Sequence, residues 1–258
     1  MDKIAAFIFG SIVGSFLNVC IYRLPKGRSV ITPGSYCPNC TAPIRWYDNI
    51  PILGYVFLGG KARCCKAKIS FRYFIVEVLT ASAFLVLFSA FGLTPKFFAY
   101  TVMVSSLIVA TFVDFEIQEI PDEASVGSLV IGLILAALFP SILNETTRLG
   151  GFLSSVLGAL AGGGMIYAMG IFGEFVFKKE AMGGGDVKLL AMIGAFIGWK
   201  LAALTFFIAP VFGSVVGIIL KIRYGKDIMP YGPYLSLAAV CSIFFGEKIL
   251  RILLYGLY

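Results

Sequence analysis

The acidic residues of this sequence fall into two places where carboxylates could do chemistry. Five of the 14 lie between Asp114 and Glu123, and another, Asp186, directly follows three glycines. Two carboxylates in a partly dry site cannot both ionise easily, so one acts as a base and the other as an acid on a shared water. Such a pair would cleave an amide bond without histidine, serine or metal. An aspartyl dyad that includes Asp186 is therefore our first hypothesis.

Histidine is absent from the sequence, which removes the commonest general base and the usual serine and cysteine triads. The glycines before Asp186 would let a peptide backbone approach closely and would tolerate unusual dihedral angles. The alternatives are a flexible turn at the glycines and a solvated loop at the acidic cluster. Phosphate binding is disfavoured because the glycines lack the spacing of a P-loop.

Cysteines form a third candidate group. Four of the six lie in one polar segment, at Cys37, Cys40, Cys64 and Cys65. Their spacing is typical of a thiolate metal site, whereas a disulfide framework is disfavoured if the segment faces reducing cytosol.

The composition indicates which elements must position these residues. Hydrophobic residues make up 59% of the 258 residues and charged residues 14%, against about 25% charged in soluble domains. Soluble globular and disordered proteins are thereby excluded, and we predict an all-α polytopic membrane protein with about eight transmembrane helices. The net charge of +7 is explained by membrane topology, so we expect lipid contacts and no nucleic-acid partner.

The predicted spans follow the apolar runs and leave one long polar segment between the first and second spans. They are 4–22, 73–92, 97–113, 124–143, 151–172, 187–199, 201–220 and 231–254. With the N-terminus outside, most of the 21 Lys and Arg residues lie on the cytoplasmic side. We therefore predict a first helix at 1–22, a small cytoplasmic insert at 23–72 and a transmembrane domain at 73–258.

Several motifs resemble one known family along nearly the whole chain. Gly183-x-Gly185-Asp186 with Lys188, together with Pro121-Asp122 upstream, is similar to the GxGD aspartyl peptidases, in particular the bacterial type IV prepilin peptidases. Three further blocks agree with that family and occur in its order. They are Gly14 to Pro25, Trp46 to Pro51 and Pro230 to Tyr234.

The resemblance implies that Asp122 and Asp186 are the catalytic acids. Gly183, Gly185 and Lys188 of the same motifs are assigned as supporting residues. Asp114 competes with Asp122 for the first position and is also assigned a supporting role. Reasoning from the residues alone does not choose between the two.

The family cuts the basic leader from prepilins and pseudopilins at the cytoplasmic face of the inner membrane. Many members then N-methylate the new amino terminus with S-adenosylmethionine, which the resemblance implies here as well. The acidic residues around Asp122 would attract a basic leader by their charge. They are Glu116, Glu119 and Glu123.

The cysteine segment departs from the family pattern of two CxxC pairs. Cys37 and Cys40 form the first pair, but Ala62 stands where the second pair would begin, and Cys64 lies next to Cys65. A zinc site with these four cysteines is favoured, and a metal-free insert packed on the membrane is the alternative.

Two rival functions remain open at this point. Two carboxylates at the membrane edge could bind protons or cations in a secondary transporter or ion channel. The chain could also be a non-catalytic assembly subunit with a metal-binding insert. The transporter interpretation leaves the cysteine segment unexplained, and the sequence shows no internal repeat of the kind that many transporters have.

Overall fold

Helices form most of the computed structural model, which describes residues 2–178, 182–224 and 230–256. Across those ranges there is no β-strand, and two isolated bridges occur in the insert. The helices are α1 (Lys3–Arg23), α2 (Leu53–Phe57), α3 (Phe71–Phe91), α4 (Pro95–Ile117), α5 (Ser128–Leu138), α6 (Arg148–Phe177), α7 (Gly184–Tyr224) and α8 (Gly232–Tyr255). Parts of the predicted loops 173–186 and 221–230 lie outside the described residues.

The all-α, multi-pass architecture is confirmed. Five of the described helices, namely α1, α3, α4, α6 and α7, are long and apolar enough to cross a membrane. The predicted sixth and seventh spans both lie in α7, whose backbone is not helical at Gly198 (φ 76°, ψ 168°), so two helical segments meet at that residue. The predicted fourth span is shorter than expected, because Pro140 disfavours helical geometry at Phe139 and α5 ends at Leu138.

The chain forms two compact units, Met1–Thr101 and Val102–Tyr258. The predicted division at residues 22 and 72 stays a prediction. In the first unit, α1 packs closely on α3, since a Cβ at Gly14 would lie 2.8 Å from Cα of Glu77. Small residues of this kind let transmembrane helices approach backbone to backbone.

In the second unit, close packing at glycines and hydrogen bonds from hydroxyl groups stabilise the contact between helices. Gly158 of α6 faces Gly194 of α7 so closely that a Cβ on either would collide with the other's backbone. Beside them, Oγ of Ser155 donates to the carbonyl of Ala195 at 2.7 Å. These contacts fix the N-terminal half of α7, which begins at the predicted glycine motif.

The insert is attached to α3 at a strained turn. Ile52 has φ 64° and ψ −55°, a conformation that β-branched residues rarely adopt. Its N–H donates to Oε2 of Glu77, a buried residue of α3, at 2.7 Å. The carboxylate holds the middle of the insert against the helix.

Candidate active site

Asp114 lies near the C-terminal end of α4 and is 5% exposed. Its Oδ2 accepts a hydrogen bond from the N–H of Gly232 at 2.9 Å. Gly232 is the first residue of α8, where backbone N–H groups have no partner within the helix and the helix dipole favours negative charge. A Cβ at Gly232 would lie 2.7 Å from the same oxygen, so glycine is needed for this contact.

Asp186 lies in the first turn of α7 and is half-buried. A Cβ at Gly183 would come within 3.5 Å of its Oδ2, so the predicted glycine leaves room beside the carboxylate. Ile120 joins the surroundings of the two aspartates, because its side chain lies against Gly185, next to Asp186, and against Gly232, which donates to Asp114. The two carboxylates therefore belong to one site, built from the end of α4 and the starts of α7 and α8.

Ile120 occupies the space between the starts of α7 and α8. Its side chain would lie 3.1 Å from a Cβ at Gly185 and 3.3 Å from a Cβ at Gly232. The predicted supporting residue Gly185 thus allows the loop after α4 to pack directly on α7. This contact joins the three elements that carry the two aspartates.

Asp122, the other candidate for the first acid, has a different environment. Its Oδ1 accepts a hydrogen bond from Nζ of Lys188 at 2.6 Å, and the two side chains are 64% and 44% exposed. The two predicted site residues therefore form an ion pair with each other in contact with solvent. An exposed carboxylate paired with a lysine is poorly suited to share a proton with Asp186.

The three glutamates predicted to attract a leader are all exposed. Glu116, Glu119 and Glu123 lie at the end of α4, in the following loop and in the π-helical turn Glu123–Gly127, respectively. All three side chains thus lie on the surface that a ligand would approach from solvent.

Sequence reasoning missed the roles of Gly232, Ile120 and Tyr231. The Tyr231 hydroxyl is buried, makes no hydrogen bond within the described residues, and is within electrostatic reach of Asp186. Gly232 and Tyr231 belong to the block Pro230 to Tyr234, which was identified from the sequence as a motif but was assigned no function there.

The four predicted metal ligands lie together in the first unit. The Sγ atoms of Cys37, Cys40, Cys64 and Cys65 all lie within 4.8 Å of one another. The separations are 3.7 Å for Cys37 and Cys65, 3.2 Å for Cys40 and Cys64, and 3.9 Å for Cys64 and Cys65. A tetrahedral zinc site with Zn–S bonds of about 2.3 Å requires sulfurs roughly 3.8 Å apart, so the set fits zinc.

Two of these thiols differ in acidity. Backbone hydrogen bonding from Ala67, followed by the side-chain amide of Asn39, lowers the pKa of Cys65 to about 6. Hydrogen bonding with Cys40 is the largest cause that raises the pKa of Cys64, to about 12. The ligand-binding form of Cys65, the thiolate, is thus already favoured near neutral pH.

Two family models match the chain. The model described as the bacterial peptidase A24 N-terminal domain matches residues 8–91. The model described as the type IV leader peptidase family matches residues 101–218, which include Asp114 and Asp186.

Curated relatives match over most of the chain. A prepilin leader peptidase/N-methyltransferase of Aeromonas salmonicida is 32% identical over 95% of this chain and 91% of its own length. A type 4 prepilin-like proteins leader peptide-processing enzyme of Escherichia coli O78:H11 is 34% identical, with 93% of each chain covered. A prepilin leader peptidase/N-methyltransferase of Myxococcus xanthus is 36% identical over 85% of this chain and 63% of its own length. No solved structure matches the chain.

Proposed function

This chain belongs to the type IV leader peptidase family, and we propose that it is a membrane aspartyl endopeptidase that removes the leader peptide from prepilins and pseudopilins. The observation that carries the proposal is the buried Asp114, which is hydrogen-bonded to Gly232 and linked through Ile120 to the start of α7, where Asp186 lies. The proposed location is the inner membrane, with the active site toward the cytoplasm.

The proposed reaction uses a water molecule placed between the carboxyl groups of Asp114 and Asp186. One carboxylate takes a proton from the water, which attacks the scissile carbonyl carbon, and the other carboxyl group donates a proton to the carbonyl oxygen. Collapse of the tetrahedral intermediate breaks the C–N bond, and a proton passes to the leaving amine. The burial of the pair strengthens these interactions because little water competes with them.

Asp114 is proposed in place of Asp122 as the partner of Asp186. The choice rests on burial and on the ion pair between Asp122 and Lys188. We assign that ion pair a positioning role, in which it holds the loop that carries Ile120 against α7.

Asparagine substitutions test the choice, because they remove the acid and retain the shape of the side chain. A peptide with a basic leader and the following apolar segment is incubated in liposomes with wild type, Asp114→Asn, Asp186→Asn and Asp122→Asn. We expect the first two variants to lose about 10³-fold in cleavage rate, in the range of general acid–base catalysis, and the third to stay within a few fold. Circular dichroism and gel filtration confirm that each variant is folded.

The reverse pattern, with Asp122→Asn inactive and Asp114→Asn active, would return the catalytic role to Asp122. A folded wild-type protein that leaves every such peptide intact would overturn the peptidase proposal. Ion flux under an imposed gradient would then test the transporter alternative.

The proposed cofactors belong to separate activities. The relatives' names include an N-methyltransferase activity, and we propose that this chain also methylates the new amino terminus with S-adenosylmethionine. Zinc is proposed as a structural ion held by the four clustered cysteines, because the insert is small and buries little core of its own. The peptidase chemistry needs neither cofactor.

A further inference from the structure

A cavity of about 320 Å³ lies between α1 and the insert, in the first unit and apart from the aspartates. Its walls combine an apolar strip of α1 with polar turn residues of the insert. They include Ile12, Ser15, Phe16, Arg23, Ser35 and Asn49. Neither the peptidase nor the zinc proposal uses this cavity.

Arg23 supplies the charge of the cavity and is 4% exposed. Its guanidinium donates to the carbonyls of Ser29 and Gly34, each at 3.0 Å. Both partners are neutral, and within the described residues no acidic side chain forms an ion pair with it. A guanidinium has five N–H donors, so several remain for a ligand.

A buried cation without an anionic partner is costly, and an anion that entered the cavity would relieve that cost. The surroundings add to the attraction, since Lys26 and Arg28 follow on the same segment and are exposed. The charge therefore selects an anionic ligand. S-Adenosylmethionine fits poorly, because it carries a net positive charge and no carboxylate lines the cavity.

The cavity also lies beside the surface that faces lipid. Ile12 and Phe16 line it and are 54% and 50% exposed on α1, a helix long enough to cross the membrane. Arg23 is the last residue of that helix, at the depth of the lipid headgroups. An occupant can thus place a phosphate on Arg23 and hydrocarbon against Ile12 and Phe16.

We propose that this cavity binds one anionic phospholipid, with its phosphate on the guanidinium of Arg23 and its acyl chain along α1. The phosphate accepts charge-assisted hydrogen bonds that the two carbonyls leave available. The lipid then fills the space between α1 and the insert. This site does not depend on the peptidase proposal.

Native mass spectrometry of the purified full-length chain tests the proposal with two lipids that have identical acyl chains. We expect wild type to retain one dioleoyl phosphatidylglycerol at least about tenfold more tightly than dioleoyl phosphatidylcholine, as one charge-assisted contact would give. Arg23→Gln should abolish that preference, whereas Arg23→Lys should keep part of it. Arg28→Gln removes an exposed charge from the same segment and should change retention less than twofold.

A second variant covers the case in which Arg23→Gln does not fold. Val19→Trp fills the cavity without changing charge and should also lose the retained lipid, whereas Val86→Trp, at an exposed position of α3 outside the cavity, should not. Equal retention of both lipids by wild type, or unchanged retention by Val19→Trp, would overturn the proposal. Displacement of the lipid by millimolar inorganic phosphate or by S-adenosylmethionine would overturn it too, because the site would then take a soluble ligand.

Discussion

At the residue scale, Gly232 decides where the Asp114 carboxylate lies. Its N–H holds Oδ2, and a Cβ there would lie 2.7 Å from that oxygen. We expect Gly232→Ala to push the carboxylate away and lower the cleavage rate about 10²-fold, as small misplacements of reacting groups do, while the fold is retained. The measurement is the rate in liposomes, and Gly184→Ala is the matched control because a Cβ there meets nothing within 4 Å.

Wild-type cleavage rates in both alanine variants would mean that the position of Asp114 does not depend on Gly232. An equal loss of rate in both variants would point instead to a general sensitivity of the glycines near the site.

We propose that the exposed glutamates act on the substrate through their charge. We expect Glu119→Lys to raise KM for a peptide with a basic leader about two- to fivefold, because exposed charge interactions are worth up to about 1 kcal/mol. Glu247→Lys makes the same change of charge at an exposed position of α8 and serves as control. The effect should fade at high salt. An equal rise in KM for a peptide with a neutral leader would rule out steering by charge.

The sequence could place the candidate acids within a few residues but could not choose among them. Asp114 and Asp122 occur at the two ends of the same polar stretch, which separates two apolar runs. Asp114 differs from Asp122 because it is buried against the start of α8. Its partner there, Gly232, lies 118 residues further along the chain. Local pattern carries no information about a contact of that range.

At the scale of elements, the insert has two similar turns that carry the cysteines. In each turn, the backbone carbonyl of the first residue accepts a hydrogen bond from the N–H four positions later. The N–H of the same residue donates to the carbonyl five positions later. These bonds are Thr41 to Cys37 and Cys37 to Ala42 in the first turn, and Lys66 to Ala62 and Ala62 to Ala67 in the second. Ala62 therefore takes the place of Cys37, and Cys64 supplies the missing sulfur from within the turn.

This equivalence predicts which cysteine replacement restores zinc. We expect Cys64→Ser to lose most of the bound zinc and Cys64→Ser combined with Ala62→Cys to recover it, since the second variant rebuilds the arrangement of the first turn. The measurement is zinc per chain by elemental analysis after a chelator challenge, with Cys241→Ala as control. Wild-type protein that holds no zinc when produced with the metal would contradict the assignment.

The positions of the long helices could be predicted from the apolar runs. The points at which helices end or bend were harder to predict. The boundary predicted between Trp199 and Leu201 lies within two residues of the kink at Gly198, because glycine is the residue that tolerates φ 76°. Two helical segments meet at Gly198, in agreement with the two predicted spans. The apolar runs could not indicate the close approach of Gly158 and Gly194, because these residues lie on different helices.

At the scale of the whole molecule, the two compact units correspond closely to the two matched family models. Both proposed catalytic carboxylates lie in the second unit. The chemistry of methyl transfer does not use an acid pair that activates water. We therefore expect the two activities to be separable by mutation.

Asp186→Asn tests that separation. It should abolish cleavage of a leader-bearing peptide, while methylation of a synthetic peptide that already has the free amino terminus stays within about twofold of wild type. Transfer of a labelled methyl group from S-adenosylmethionine to that peptide is the measurement. Loss of both activities in a folded variant would mean that Asp186 also serves methylation.

The hydrogen bond between Ile52 and Glu77 divides the insert into two shorter loops. A chain segment fixed near its midpoint has fewer conformations to lose than one fixed only at its ends, and the entropy of closing each half grows slowly with its length. The proposed zinc site and this tether would thus constrain the insert independently. Stripping the metal would release the cysteine turns while the midpoint stays anchored to α3, so the insert would loosen in parts rather than unfold as one body.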